Sequence, residues 1–163
     1  QLKVATAKDK SALAGAILAR LPNASPTLGR LSFSAPLIAC TKCHSVRADI
    51  VKSGPLLSEI GTATQPQYLV ESILEPSKII KTGFLSERIE TRDDREFTDL
   101  VQADGDRLTV IVSANEKVAL HLSQVKQRVP STVSFMPEGL ERAMTESELA
   151  DVVAYLVSLK AKP

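Results

Sequence analysis

Residues 40–44 read Cys-Thr-Lys-Cys-His (CTKCH): two cysteines with two residues between them, and a histidine directly behind the second. Three chemistries use such a stretch, and each predicts a different protein. A structural zinc site takes four Cys or His ligands in a tetrahedron. The chain has two Cys and two His in all, His44 and His121, and His44 adjoins Cys43 too closely for both to reach one tetrahedral ion comfortably. A thiol redox pair belongs at the start of a helix that follows a strand, within a βαβ unit. Residues 31–39, LSFSAPLIA, hold no clear strand, and no alternation of strands with long helices follows. The third chemistry is covalent haem attachment. Two thiols one helical turn apart can each add to a vinyl group of the same porphyrin, and the next residue projects toward the iron. On this reading Cys40 and Cys43 are anchors and His44 is an axial ligand. The zinc and thiol readings stay open as weaker alternatives.

The rest of the composition bounds the choice. A chain of 163 residues with 44% hydrophobic residues is long and apolar enough for one domain with a real core. Aromatic residues make up 4% and tryptophan is absent, so a large apolar cofactor would help fill the interior. Twenty basic and 19 acidic residues leave a net charge of +1. No basic stripe of the kind that phosphate backbones require is present, which argues against nucleic acid. No apolar run approaches the roughly 18 residues of a membrane span. The first residues, QLKVATAKDK, lack the charged-then-apolar order of a signal peptide.

Along the chain, AKDKSALAGAILAR (residues 7–20) carries strong helix formers, with Leu13, Ile17 and Leu18 near one face. LPNASP (21–26) breaks it, and TLGRLSFSAP starts a second helix leading into CTKCH. Residues 45–61 read as a loop with a tight turn at Gly54-Pro55. TQPQYLVESIL reads as a helix with Pro66 in its first turn, stopped at Glu75-Pro76. From Leu85 to Val129 the pattern turns β-like, with strands expected near residues 88–91, 97–102, 108–112 and 118–122. Asp104-Gly105 is a hairpin signal, and Ala114-Asn115-Glu116 suits a second turn. Thr145 and Glu148 form a capping box that opens a helix with Leu149, Val152, Val153, Leu156 and Leu159 on one face.

A haem that carries electrons commonly has His plus Met, or two His, on its iron. The candidates are Met136, Met144 and His121. Met136 sits in SFMPEGL, a loop punctuated by Pro and Gly that can offer a thioether without helical constraint. Met144 lies just before the helix cap, where core packing is the ordinary role of a methionine. His121 falls in VALHLS, where strand alternation sets it opposite its leucine neighbours and toward the surface. Met136 is therefore the expected second ligand.

Taken together, CTKCH, SGPLLSEIG, YLVESILEPSKIIKTGF and SFMPEGLERAMTESELADVVAYLVSL resemble the haem-binding cytochrome c domain of the planctomycete and verrucomicrobial type. The resemblance runs from about Gly29 to Leu159. It implies a mainly α, class I cytochrome c-like helical fold around one haem c, with a small antiparallel β insertion before the Met-ligand loop. Residues 1–25 would be an N-terminal helix or linker, and residues 26–163 the cytochrome domain, with the insertion at about 87–129. It also implies His44 and Met136 as iron ligands. The carbonyl of Pro55, in the turn Gly54-Pro55-Leu56, would receive the free N–H of His44, a bond that fixes a ligand ring and tunes its basicity.

The resemblance has departures. Class I cytochromes carry a glycine and an aromatic four apart on the helix before the haem motif, and Gly29 and Phe33 have that spacing. Six residues then separate Phe33 from Cys40, Pro36 among them, so that helix is expected to end early or bulge. The function implied is a monohaem domain passing single electrons between redox partner proteins, one of which is a fused or separate dehydrogenase. It would not be an enzyme itself. The alternative is a haem-based small-ligand sensor or a peroxidase-like enzyme with a labile distal ligand. Haem attachment to CxxCH takes place outside the bacterial cytoplasm, so the expected location is periplasmic or otherwise extracytoplasmic.

Overall fold

The computed structural model describes residues 7–50, 52–112 and 116–161. Ala114 and Asn115 of the expected second turn, and the first six residues of the N-terminal stretch, lie outside them. The first helix, α1, spans Ala7–Arg20, and its Ile17 is wholly buried in the helical core. A short 3-10 turn at Leu21–Asn23, with Pro22 inside it, ends that run. Helix α2 (Pro26–Ser34) starts where the Ser25 hydroxyl accepts from the Leu28 N–H at 3.3 Å, leaving fewer orphan donors in its first turn. It stops at Ser34, and Ala35 is extended, as a residue before proline must be.

Helix α3 is a single turn, Cys40–Cys43, and α4 is another, Ile60–Ala63. Helix α5 (Pro66–Leu74) has proline in its first turn and buries Leu69, Val70, Ile73 and Leu74 at helical spacing. Helix α6 (Glu146–Ser158) opens on the expected capping box. The Glu148 N–H donates to the Thr145 hydroxyl at 3.2 Å, and the Thr145 N–H to the Glu148 carboxylate at 2.8 Å. Its buried face is Leu149, Val152, Val153 and Leu156.

The helical core forms where α2 crosses α6. A Cβ added to Gly29 would lie 1.8 Å from the Asp151 carbonyl oxygen, so only glycine lets the two backbones meet. One turn further on, Phe33 packs edge-on against Tyr155, with ring centroids 5.5 Å apart, a preferred aromatic geometry. The buried carboxylate of Asp151 accepts from the Ser25 N–H at 2.6 Å and ties the start of α2 to α6.

The second body is a sheet. Its strands are β1 (Leu85–Thr91), β2 (Glu96–Asp104), β3 (Arg107–Ile111), β4 (Lys117–His121) and β5 (Val125–Ser134). They run antiparallel in the order β4-β3-β2-β1-β5. The hairpin expected at Asp104-Gly105 is present, with Asp104 paired to Arg107 and Gly105 at φ +56°. One face collects Ile89, Val101, Leu108, Val110 and Leu120 into a core separate from the helical one.

These strands overturn the expectation of a mainly α, class I cytochrome c-like fold with a small insertion. Among the described residues helix accounts for 41% and strand for 24%, so the fold is mixed α and β. The underestimate came mostly from β5. Its sequence, VKQRVPSTVS, has no apolar alternation and contains Pro130, both arguments against a strand. It is an edge strand, exposed along most of its length, where a missing N–H and polar side chains are tolerated. Pairing with the length of β1, from Leu85↔Ser134 to Thr91↔Val125, stabilises it. Four strands with a ragged fifth became a complete sheet able to bury its own apolar face.

Candidate functional site

Cys40 and Cys43 begin and end the single turn α3, and both are free thiols, half-buried. Ala39, just before it, holds φ +58°, a left-handed bend that turns the chain sharply into the motif. His44 follows in extended conformation, its N–H donating to the Cys40 carbonyl at 2.9 Å. The return strand of chain then closes over its ring. Gly54 N–H donates to the Cys43 carbonyl at 2.7 Å. His44 Nδ1 lies 2.8 Å from the Pro55 carbonyl oxygen. Since a carbonyl only accepts, Nδ1 carries the proton and Nε2 keeps its lone pair. A Cβ on Gly54 would come 2.8 Å from the Cys43 oxygen and 2.9 Å from His44 Cε1. The loop can clamp the ring only because residue 54 is glycine.

The electrostatics favour neutral donors. Burial pushes the Cys40 thiol up to about 11, with a smaller upward push from Cys43, against a backbone hydrogen bond. A reactive redox dithiol needs the opposite shift, toward thiolate, so this environment weakens the thiol-exchange reading. Burial lowers the His44 pKa, the Pro55 bond opposes this, and the Lys52 cation adds to the lowering. A neutral imidazole with a free Nε2 is a metal ligand. Lys52 reaches over the motif and donates to the Thr41 carbonyl. Among the described residues no three His, Cys, Asp or Glu side chains gather as a metal-binding cluster, so Cys40, Cys43 and His44 do not assemble a zinc tetrahedron.

Met136 lies two residues beyond the end of β5. Its side chain is half-buried against the helical core, as Cys40 is. The Met136 N–H donates to the Ser134 hydroxyl at 3.1 Å, and the Ser134 N–H donates to Ser77 Oγ, just after α5, at 3.1 Å. Gly139, at φ +85°, turns the loop back toward α6. Met144 packs against the same core. His121 is exposed at the end of β4, where Nδ1 lies 2.7 Å from the Ser123 hydroxyl and caps the turn into β5.

A haem held through two thioethers would use a donor set of this kind. The thiols share one turn, the imidazole presents Nε2, and a thioether packs on the same helical body as Cys40. Leu37 is 87% exposed and Leu56 44%, two apolar side chains close in sequence to the motif and the clamp. Two surface clefts, one bounded by Ala16, Arg20 and Ser147 and one by Leu18, Pro22 and Gln67, do not include the motif.

The sequence pointed to Cys40, Cys43, His44, Gly54, Pro55 and Met136. It did not single out Lys52, Ser77 or Ser134. Lysine and serine in loops carry no periodic signal, and their roles rest on contacts across 11 and 57 positions. Among the described residues no helix is long and apolar enough to cross a membrane. No protein-family model matches the chain, and no curated protein matches it.

Proposed function

We propose that the chain is a c-type haem domain that carries single electrons between redox partner proteins. The observation that carries this reading is the clamp on His44: Nδ1 held 2.8 Å from the Pro55 carbonyl, one residue after a Cys-x-x-Cys turn. Each residue then has a separate task. Cys40 and Cys43 would hold the haem, each S–H group adding across one vinyl double bond with sulfur on one carbon and hydrogen on the other. His44 would hold the iron through Nε2 and keeps Nδ1–H on Pro55. That bond fixes the ring and raises its basicity. Met136 would offer the iron a neutral thioether, a pairing that raises the potential. The haem, when bound, supplies an iron that alternates between ferrous and ferric.

With both His44 and Met136 on the iron, no position would be left for a substrate, which favours electron transfer over catalysis. A peroxidase-like site or ligand sensor needs an acid–base group or an open position on the distal side. His121, the one other histidine, has Nδ1 engaged with Ser123 in the sheet. Partners are redox proteins, with a fused or separate dehydrogenase as the electron source, meeting the domain through a small transient interface. Haem attachment to such a motif sets the location as periplasmic or otherwise extracytoplasmic.

The test is production of the chain by secretion, with haem-attachment machinery. Haem colour should stay with the polypeptide after denaturation and organic extraction. It should be lost in Cys40→Ala/Cys43→Ala. A ferric protein that is low-spin and slow to bind cyanide supports the carrier. A five-coordinate, high-spin ferric protein that binds cyanide at low concentration overturns it.

A further inference from the structure

The loop that carries Met136 is continuous with the sheet, and three serines tie the two together where the sheet meets the helices. Ser134 is the last residue of β5 and the Cα partner of Leu85, the first residue of β1. The register slips between Leu85 and Glu87, a bulge of the kind that re-aims a strand. Ser86 sits in that bulge, 3% exposed, and donates to the Val133 carbonyl. The next link leaves the sheet: Ser134 N–H donates to Ser77 Oγ at 3.1 Å. Ser77 follows α5, whose buried face belongs to the helical core. The last link enters the loop, where Met136 N–H donates to Ser134 Oγ at 3.1 Å. Between the sheet and the Met136 side chain stands one residue, Phe135.

We infer that Ser134, anchored to the helical body by Ser77 and braced within the sheet by Ser86, is the positioning residue that sets where the Met136 thioether stands. The inference rests on the reading of Met136 as distal ligand. Ser134 fixes the backbone on both sides of itself. Its N–H fixes the strand end to α5, and its hydroxyl fixes the first turn of the loop. Without that hydroxyl, the Met136 amide loses its acceptor and the loop gains freedom to swing the sulfur away. The sheet is thereby coupled to the Met136 loop, whereas the hydrogen bond that holds the His44 ring comes from Pro55, 11 positions on.

The test uses the secreted, haem-loaded full chain and imidazole as a competitor for the distal position of the ferric protein. Met136→Ala sets the scale, with the tightest imidazole binding. Ser134→Ala should bind imidazole about fivefold more tightly than the parent, the ratio that one ordinary hydrogen bond represents. Ser134→Thr keeps the hydroxyl and should return to the parent value. Ser77→Ala should shift the affinity in the same direction as Ser134→Ala. A Ser134→Ala protein that binds imidazole like the parent, while Met136→Ala binds it far more tightly, overturns the positioning role; so does a lowered thermal midpoint with unchanged imidazole affinity. If Met136→Ala itself binds imidazole like the parent, the ligand assignment fails, and the positioning role falls with it.

Discussion

The two sides of the candidate site are built by opposite strategies. On the His44 side the hydrogen bonds that hold the ring are local, although Cys40 also packs against the helical core. One turn carries both thiols, the next residue carries the imidazole, and Gly54-Pro55 folds back 11 positions later to hold it. On the Met136 side a complete sheet stands in the chain between α5 and the Met136 loop, and a hydrogen bond across 57 positions joins its end to Ser77, just after that helix. A local clamp is rigid because few dihedrals separate its parts. A long-range one depends on the whole sheet folding in register. The difference teaches that the His44 ring is held mainly by its own loop, while the Met136 loop is tied to the sheet.

The sharpest way to break the local side is Gly54→Val. The new side chain would meet the Cys43 carbonyl and the His44 ring at about 3 Å, and overpacking of this kind costs roughly 1–3 kcal/mol. We expect a large fall in the yield of protein with covalent haem, read from absorbance per polypeptide. Next in size, Met136→Ala should leave the haem attached but abolish the sulfur-to-iron charge-transfer band of the ferric protein. Retention of that band would remove Met136 from the iron.

Excision of residues 86–133, with a short Gly-Ser link between Leu85 and Ser134, tests the asymmetry directly. The two ends are Cα partners, so a short link can join them. Haem attachment should survive and the Met136 band should weaken or disappear. Equal damage to both sides would show that the sheet supports the helical body as a whole. The smallest expected effect is that of Thr145→Ala. It removes the cap of α6, with a cost of about 1 kcal/mol, and should lower the thermal midpoint by roughly 2–4 °C without favouring either side.

The helices were legible because their signals are local and agree with one another. Pro66 opens α5, Thr145 and Glu148 cap α6, and Pro36 stops the chain from continuing α2. The early end expected for the helix before the Cys-x-x-Cys-His motif follows from that proline. The mainly α expectation failed at β5, whose stability comes from pairing with β1 and not from its own residues. Edge strands are poorly marked because one side needs no partner and solvent accepts most side chains.

By itself the sequence determined the chemistry available: two thiols one turn apart, an adjoining imidazole, a thioether in a Pro-Gly loop, and a glycine-proline turn. Those depend on residue type and short spacing, which covalent connectivity preserves in any fold. Only the tertiary structure decided that Gly29 lets α2 touch α6 and that the Met136 loop hangs from a five-stranded sheet. Each of these joins residues distant along the chain. Hydrogen bonds and close packing between such residues leave no periodic mark in either segment alone.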